Sequence, residues 1–374
     1  MAGIYFHIPF CKVKCSYCDF YKTTDTSRIE ELLSALKHEL WLQRNYLSDT
    51  SIETIYFGGG TPSLLNSQQI TMLIDCCKGL FDVSNDAEIT LEANPDDLSE
   101  KYLNDLYRSP VNRLSIGIQS FFQSDLKLMK RRHNPTQALN AVKNAHKAGF
   151  TNISVDLIYG VPGMSFEQWR ENLQQVFQLG VKHLSAYHLT YHKGTQLYDD
   201  LHRGKLNEVD EQESVIQFEE LVNQAEKNDF IHYEISNFAQ EGCYAKHNSS
   251  YWNQTEYLGI GPSAHSYNKT TRQWNVASLN HYMLAIKHGK VPFESEALGI
   301  NERFNDYIIT ALRTMWGIDL DFVTQEFGEK LAAQLQKTAA KYSDTGKLLI
   351  DKKHIKLAYS GKLISDSIMS DLMQ

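Results

Sequence analysis

The chain has 374 residues, of which 42% are hydrophobic and 22% charged. That excludes a wholly disordered or collagen-like polymer and allows one large domain with a smaller companion. Lys and Arg number 37 against 45 Asp and Glu, a formal net charge of -8, which argues against a surface built mainly to grip nucleic-acid phosphates. Short apolar, β-branched runs predict strands over 4–8, 52–57, 88–92, 113–118, 154–158 and 183–187. Helical spacing of apolar residues predicts helices over 29–42, 69–80, 135–148, 166–179 and 211–226, with glycine and Asn-Pro turn signals between. Six strand–helix units in a row imply parallel strands covered by helices, an α/β chain. From about 232 to 274 the composition turns aromatic and polar, which predicts packed turns and short elements. From about 301 the chain reads as mainly helical, closing on a hairpin in KLLIDKKHIKLAY. The expected organisation is an α/β domain over 1–230, an aromatic-rich connection over 231–295, and a helical, winged-helix-like domain over 296–374. No stretch reaches about 18 uninterrupted apolar residues and MAGIYFHIPF lacks a basic leader, so a cytoplasmic chain with no transmembrane segment is expected.

Cys11, Cys15 and Cys18 follow directly on the first predicted strand, the loop position where α/β folds place their sites. Thiolates suit zinc, copper(I) or iron–sulfur clusters. Three cysteines do not complete a four-cysteine site, and Cys76, Cys77 and Cys243 offer no evident fourth ligand. Two ligand readings stand: zinc completed by His7, or a [4Fe-4S] cluster on three thiolates with one iron open to an exchangeable ligand. Free buried cysteines with no ligand role fit so tight a spacing poorly.

The C-x3-C-x2-C spacing resembles the signature of radical S-adenosylmethionine proteins. HIPFCKVKCSYCDF, FGGGTPSLL, LEANPDDL, RLSIGIQSF, DLIYGVPG, YEISNFA, HNSSYW and YLGIGPSAH occur in order. Together they resemble the coproporphyrinogen III oxidase-like subfamily, and within it the HemW-like haem chaperones, over nearly the whole chain. The resemblance implies a (β/α)6 partial TIM barrel with a small C-terminal helical or winged-helix-like domain. It implies a [4Fe-4S] cluster on Cys11, Cys15 and Cys18, whose open iron is chelated by S-adenosylmethionine. In active superfamily members that cofactor yields a 5′-deoxyadenosyl radical.

The same resemblance assigns cofactor contacts. Gly59, Gly60 and Thr61 are expected near the methionine moiety, although a glycine run also makes ordinary turns. Glu92, Gln119, Arg131 and Asp156 lie at or near strand ends and supply acceptors and a cation. Asp156 reads equally as an internal salt-bridge partner. Tyr5 and Tyr17 flank the cysteines and read equally as packing. In HNSSYW, His247 is the expected haem-iron contact, with Tyr251 and Trp252 as flat apolar surfaces. From that segment alone, a hydrogen-bonded histidine in an aromatic core is the plainer reading. Cys243 and His265 are competing ligands.

Two departures distinguish this chain from the oxidase it resembles. Phe20 stands where the oxidase carries a further cysteine, and the chain starts too close to its first strand for the oxidase's N-terminal extension. His192 stands where the related pattern has a glutamate. The expected function is haem binding and delivery to acceptor proteins of the respiratory chain, with peripheral association to membrane-bound acceptors and a homodimer left open. The alternatives are radical oxidative decarboxylation of coproporphyrinogen III and, least of all, nucleic-acid binding through the C-terminal domain, for which DKKHIK is the lone basic run.

Overall fold

The computed structural model describes all 374 residues. Six parallel strands lie in sequence order: β1 (Ala2–Ile8), β2 (Ser51–Gly59), β3 (Asp82–Ala93), β4 (Arg113–Gln119), β5 (Ile153–Tyr159) and β6 (His183–His188). Between them run α1 (Ile29–Leu42), α2 (Ser67–Leu80), α3 (Glu100–Tyr107), α4 (Gln123–Leu128), α5 (Pro135–Ala148) and α6 (Phe166–Gln178). After β6 come α7 (Gln196–His202) and α8 (Glu211–Lys227). This is the partial barrel expected of the sequence. Asn66, Asn134 and Ser165 each close a capping box with a Gln three residues on, at the starts of α2, α5 and α6.

The strands alternate sharply. On β1, Ile4, Phe6 and Ile8 are fully buried against the helices, while Gly3, Tyr5 and His7 take the other face. The same alternation puts Thr54, Tyr56, Glu92, Ser115 and Asp156 on the barrel's inner face, which is therefore polar.

The aromatic-rich segment is built of short elements joined by turns. It extends the sheet at both ends. β7 (Ile231–Glu234) and β8 (Asn237–Ala239) form a hairpin whose β8 pairs antiparallel with β6. The chain then crosses through α9 (Lys246–Trp252) to the opposite edge. There β9 (Glu256–Ile260) joins β1 as a seventh parallel strand, followed by β10 (His265–Tyr267), β11 (Thr271–Asn275) and β12 (Phe293–Ala297). These strands are three to five residues long, and the two that join the barrel, β8 to β6 and β9 to β1, find partners far away in sequence, so local patterning does not reveal them. α10 (Leu279–Lys287) packs beside α1.

One hydrophobic core runs from Ala2 to Ile286, and a second from Phe304 to Leu372. The second is a small helical unit: α11 (Ile300–Leu312), α12 (Leu320–Phe327), α13 (Glu329–Asp344) and two short closing helices. It also holds a three-stranded sheet containing the expected hairpin, 348–350 against 354–357. No helix is long and apolar enough to cross a membrane.

Candidate functional site

The loop after β1 is closed at its base and docked at its middle. Cys11 N–H donates to Thr23 O at 2.9 Å and Thr23 N–H to Pro9 O at 2.7 Å. Ser16 donates through its N–H to Met129 O and through its hydroxyl to Leu128 O, which ties the loop to the end of α4. All six cysteines are free, and Cys11, Cys15 and Cys18 line one cavity of about 450 Å³ at the C-terminal ends of the strands. Thr61 Oγ1 donates to Cys11 Sγ and Arg131 Nη1 to Cys15 Sγ, each at 3.5 Å. Burial pushes the Cys11 and Cys18 thiols up, so ligation of a metal here would release protons. No three His, Cys, Asp or Glu converge as around a single ion. His7 is turned away: its Nδ1 meets Tyr5 Oη at 3.1 Å and its Nε2 meets Tyr21 O at 3.0 Å. The donor set, three thiols with a guanidinium and a hydroxyl beside them, fits a thiolate-held cluster better than zinc on His7.

Tyr17, Gly59, Gly60, Thr61, Glu92, Gln119, Arg131 and Asp156 line that same cavity. Tyr5 does not; it lies below, against Tyr56 and His247. Glu92 accepts from Tyr56 Oη at 2.8 Å and from Gly59 N–H at 3.1 Å. Burial outweighs these bonds and raises its carboxyl to about 7, and burial likewise raises Asp156 to about 6. Asp156 accepts from Ser115 Oγ at 3.3 Å and has no ion-pair partner within salt-bridge reach. Arg131 donates through Nη2 to Gly117 O at 2.6 Å and to Asn94 Oδ1, while its buried Nε has no partner. Gln119 adopts φ +67°, a left-handed conformation at the lip of β4 where the pairing with β5 shifts register. Asn94 is a site residue the sequence reading missed: it joins Arg131 to Thr61, donating to Thr61 Oγ1 at 3.1 Å. Its place directly after β3, two residues beyond Glu92, was the available signal.

A second cavity, of about 550 Å³, opens between the β9–β11 flank and α11. Its walls are aromatic: Tyr5, Phe20, Tyr21, Tyr251, Trp252, Tyr257 and Tyr267, with His7 and His265 among them. Arg272 is its cation, held by Asp306 at 2.6 Å and Glu296 at 3.3 Å. Asp19 and Phe20 line both cavities, so the segment after the third cysteine is their shared wall. Phe20 is 63% exposed there. His192 approaches Asp19 at 3.5 Å on the cysteine side.

The HNSSYW residues separate. Tyr251 and Trp252 line the aromatic cavity; His247 does not. It is 1% exposed, with Nδ1 2.7 Å from Thr54 Oγ1 and Nε2 2.8 Å from Tyr251 Oη, and it stacks on Tyr56. Both oxygens of Glu88 cap the start of α9 through the N–H groups of Lys246 and His247. Burial lowers the His247 imidazole to about 3. In this arrangement it is the hydrogen-bonded histidine of an aromatic core. Cys243 lines neither cavity.

Residues 5–176 match the Radical SAM superfamily, and residues 301–364 match the HemN C-terminal domain. The heme chaperone HemW of Bacillus subtilis is 31% identical over 98% of both chains. The heme chaperone HemW of Lactococcus lactis is 34% identical over 89% of this chain and 86% of its own. Among solved structures, the radical SAM enzyme coproporphyrinogen III oxidase (HemN) of Escherichia coli superposes with a TM-score of 0.86. It is 23% identical and covers 100% of this chain and 90% of its own, a likeness of fold.

Proposed function

The chain belongs to the radical SAM superfamily, as a close relative of the HemW- and HemN-type proteins, and from that premise we propose that it is a haem chaperone. It binds haem and passes it to acceptor proteins, with those of the respiratory chain as the intended class, and it carries a [4Fe-4S] cluster and S-adenosylmethionine. The observation that carries this reading is the pair of adjoining cavities, one lined by three cysteines and the other by aromatic rings, with Asp19 and Phe20 between them.

In this reading Cys11, Cys15 and Cys18 hold the cluster, and Arg131 and Thr61 donate toward two of the sulfurs. When bound, the cluster supplies electrons to the sulfonium of S-adenosylmethionine. Glu92 and Asp156 would accept hydrogen bonds from the ammonium or hydroxyl donors of that cofactor, Gln119 would offer both donor and acceptor, and Tyr17 would close the side near Arg131. Tyr251 and Trp252 offer flat faces to a porphyrin. A cavity of about 550 Å³ lies within the range of small-molecule sites.

The test is anaerobic reconstitution, followed by haem titration, haem transfer to an apo-acceptor, and a coproporphyrinogen III turnover assay in parallel. We expect about four irons and four sulfides per chain, saturable haem uptake, transfer to the acceptor, and no protoporphyrinogen. Robust protoporphyrinogen formation with no stable haem uptake would sink this reading in favour of the oxidase.

A further inference from the structure

We infer that His265, and not His247, is the side chain that ligates haem iron; this deepens the haem reading above and rests on it. Three histidines lie in or beside the aromatic cavity, and two are already committed. His7 is 4% exposed, and its two ring nitrogens are taken by Tyr5 Oη and the carbonyl of Tyr21. His247 is committed to Thr54 and Tyr251 and lies behind the cavity wall. To reach an iron it must break both bonds and expose a ring that now stacks on Tyr56.

His265 is placed differently. It opens β10, its ring lies exposed at the cavity, and it stacks on Trp274 with centroids 6.1 Å apart and planes 28° from parallel. Nothing in the protein hydrogen-bonds to its ring, so both nitrogens are available. An imidazole is a common axial ligand of haem iron, and a ring held by stacking is oriented without either nitrogen being consumed. The backbone is built to bring it there. A Cβ at Gly259 would stand 2.0 Å from the His265 carbonyl oxygen, so the close approach of β9 to β10 requires glycine at that position. Gly261 (φ +111°) and Ser263 (φ +65°) turn the intervening chain.

Tyr251 then has a part in each reading: it binds His247 behind the wall and shows its ring to the cavity in front. His247 stays behind the wall, bonded to Thr54 and Tyr251, and does not face the cavity.

The experiment is titration of the full chain with ferric haem, read by absorption and electron paramagnetic resonance. It compares wild type with His265→Ala, His265→Tyr and His247→Asn, each checked for fold by circular dichroism. We expect His265→Ala to lose the histidine-ligated spectrum and to bind at least tenfold more weakly, with added imidazole restoring the spectrum. His265→Tyr should convert it to a tyrosinate-ligated, high-spin ferric signature. His247→Asn should keep the wild-type signature although the protein is less stable. Unchanged spectrum and affinity in both His265 variants would overturn the ligand assignment alone. So would loss of the signature in a folded His247→Asn. Absence of saturable uptake by the wild type would overturn the haem reading, and this assignment with it.

Discussion

At Gly60 one methyl group decides where the cysteine loop sits. A Cβ there would lie 2.7 Å from the Pro9 carbonyl carbon and 2.8 Å from the oxygens of Ile8 and Phe10, all backbone atoms. Its N–H donates to Ile8 O at 2.9 Å. Gly60→Ala must therefore push the end of β1 away from β2, at a cost of about 1–3 kcal/mol for overpacking, and Cys11 follows directly. We expect the reconstituted variant to hold less than half the wild-type iron and sulfide and to melt earlier. Gly79→Ala is the control: nothing lies within 4 Å of its Cβ position, it sits in α2, and the change should leave iron content as it is while stabilising by about 0.5–1 kcal/mol. Equal iron content in the two variants would contradict the argument. Sequence alone justifies the glycine run by approach to a ligand. The reason seen here, that Gly60 is pressed against the root of the loop, depends on the parallel register Ile8↔Gly59, which no local pattern displays. His247 was legible as chemistry but not as placement: the motif pointed to iron, and its partner Thr54 lies 193 residues away.

Among the elements, α1 has a part its amphipathic pattern does not announce. Glu39 is fully buried in its last turn and accepts four hydrogen bonds from side chains and backbone of four segments. Gly261 N–H donates at 2.7 Å, Asn275 Nδ2 at 2.6 Å and Gln43 Nε2 at 3.1 Å, with Tyr282 Oη as the fourth. One carboxylate thus fastens the turn before β10, the end of β11 and α10 to the helix. Above about pH 7, where its carboxyl is ionised, all four neighbours donate, so Glu39→Gln replaces half of the acceptor with an NH2 group that faces donors. The expected cost is about 1–3 kcal/mol, measured by urea denaturation, together with a changed haem spectrum because the turn bearing His265 loses its anchor. A variant as stable as wild type would show that the hub is not needed. The strand–helix units of the barrel were legible because each repeats a strong local period. The segment 231–297 was not, because β8 and β9 are placed by β6 and β1, remote in sequence, and not by their own three and five residues.

For the molecule as a whole, the formal charge of -8 counts every histidine neutral and every carboxyl ionised, and burial gives that count a cost in each state. Burial lowers His7 to about 4 and His133, His232 and His247 to about 3, and holds His183 well below its usual value. Burial raises Glu39 and Glu92 to about 7 and Asp156 to about 6. A lowered histidine means that the unfolded chain binds more protons below its own value of roughly 6.5. Stability from these five groups therefore falls as pH drops from there toward the folded values. A raised carboxyl does the opposite: between its unfolded value of roughly 4 and its folded one the native chain holds the extra proton, so stability falls as pH rises through that window. The two sets oppose each other between about pH 4.5 and 6.5 and leave a shallow net slope. Below about pH 4.5 the carboxyl contribution ends and the histidines act alone. Urea midpoints of the full chain without added cofactors should be nearly level around pH 7, slightly lower at pH 5.5, and much lower at pH 4. In His247→Asn the drop from pH 5.5 to pH 4 should be smaller than in wild type, since one of the buried proton acceptors is gone. A midpoint that peaks near pH 5, or an unchanged drop in His247→Asn, would show that the buried carboxyls and not the imidazoles set the acid limit.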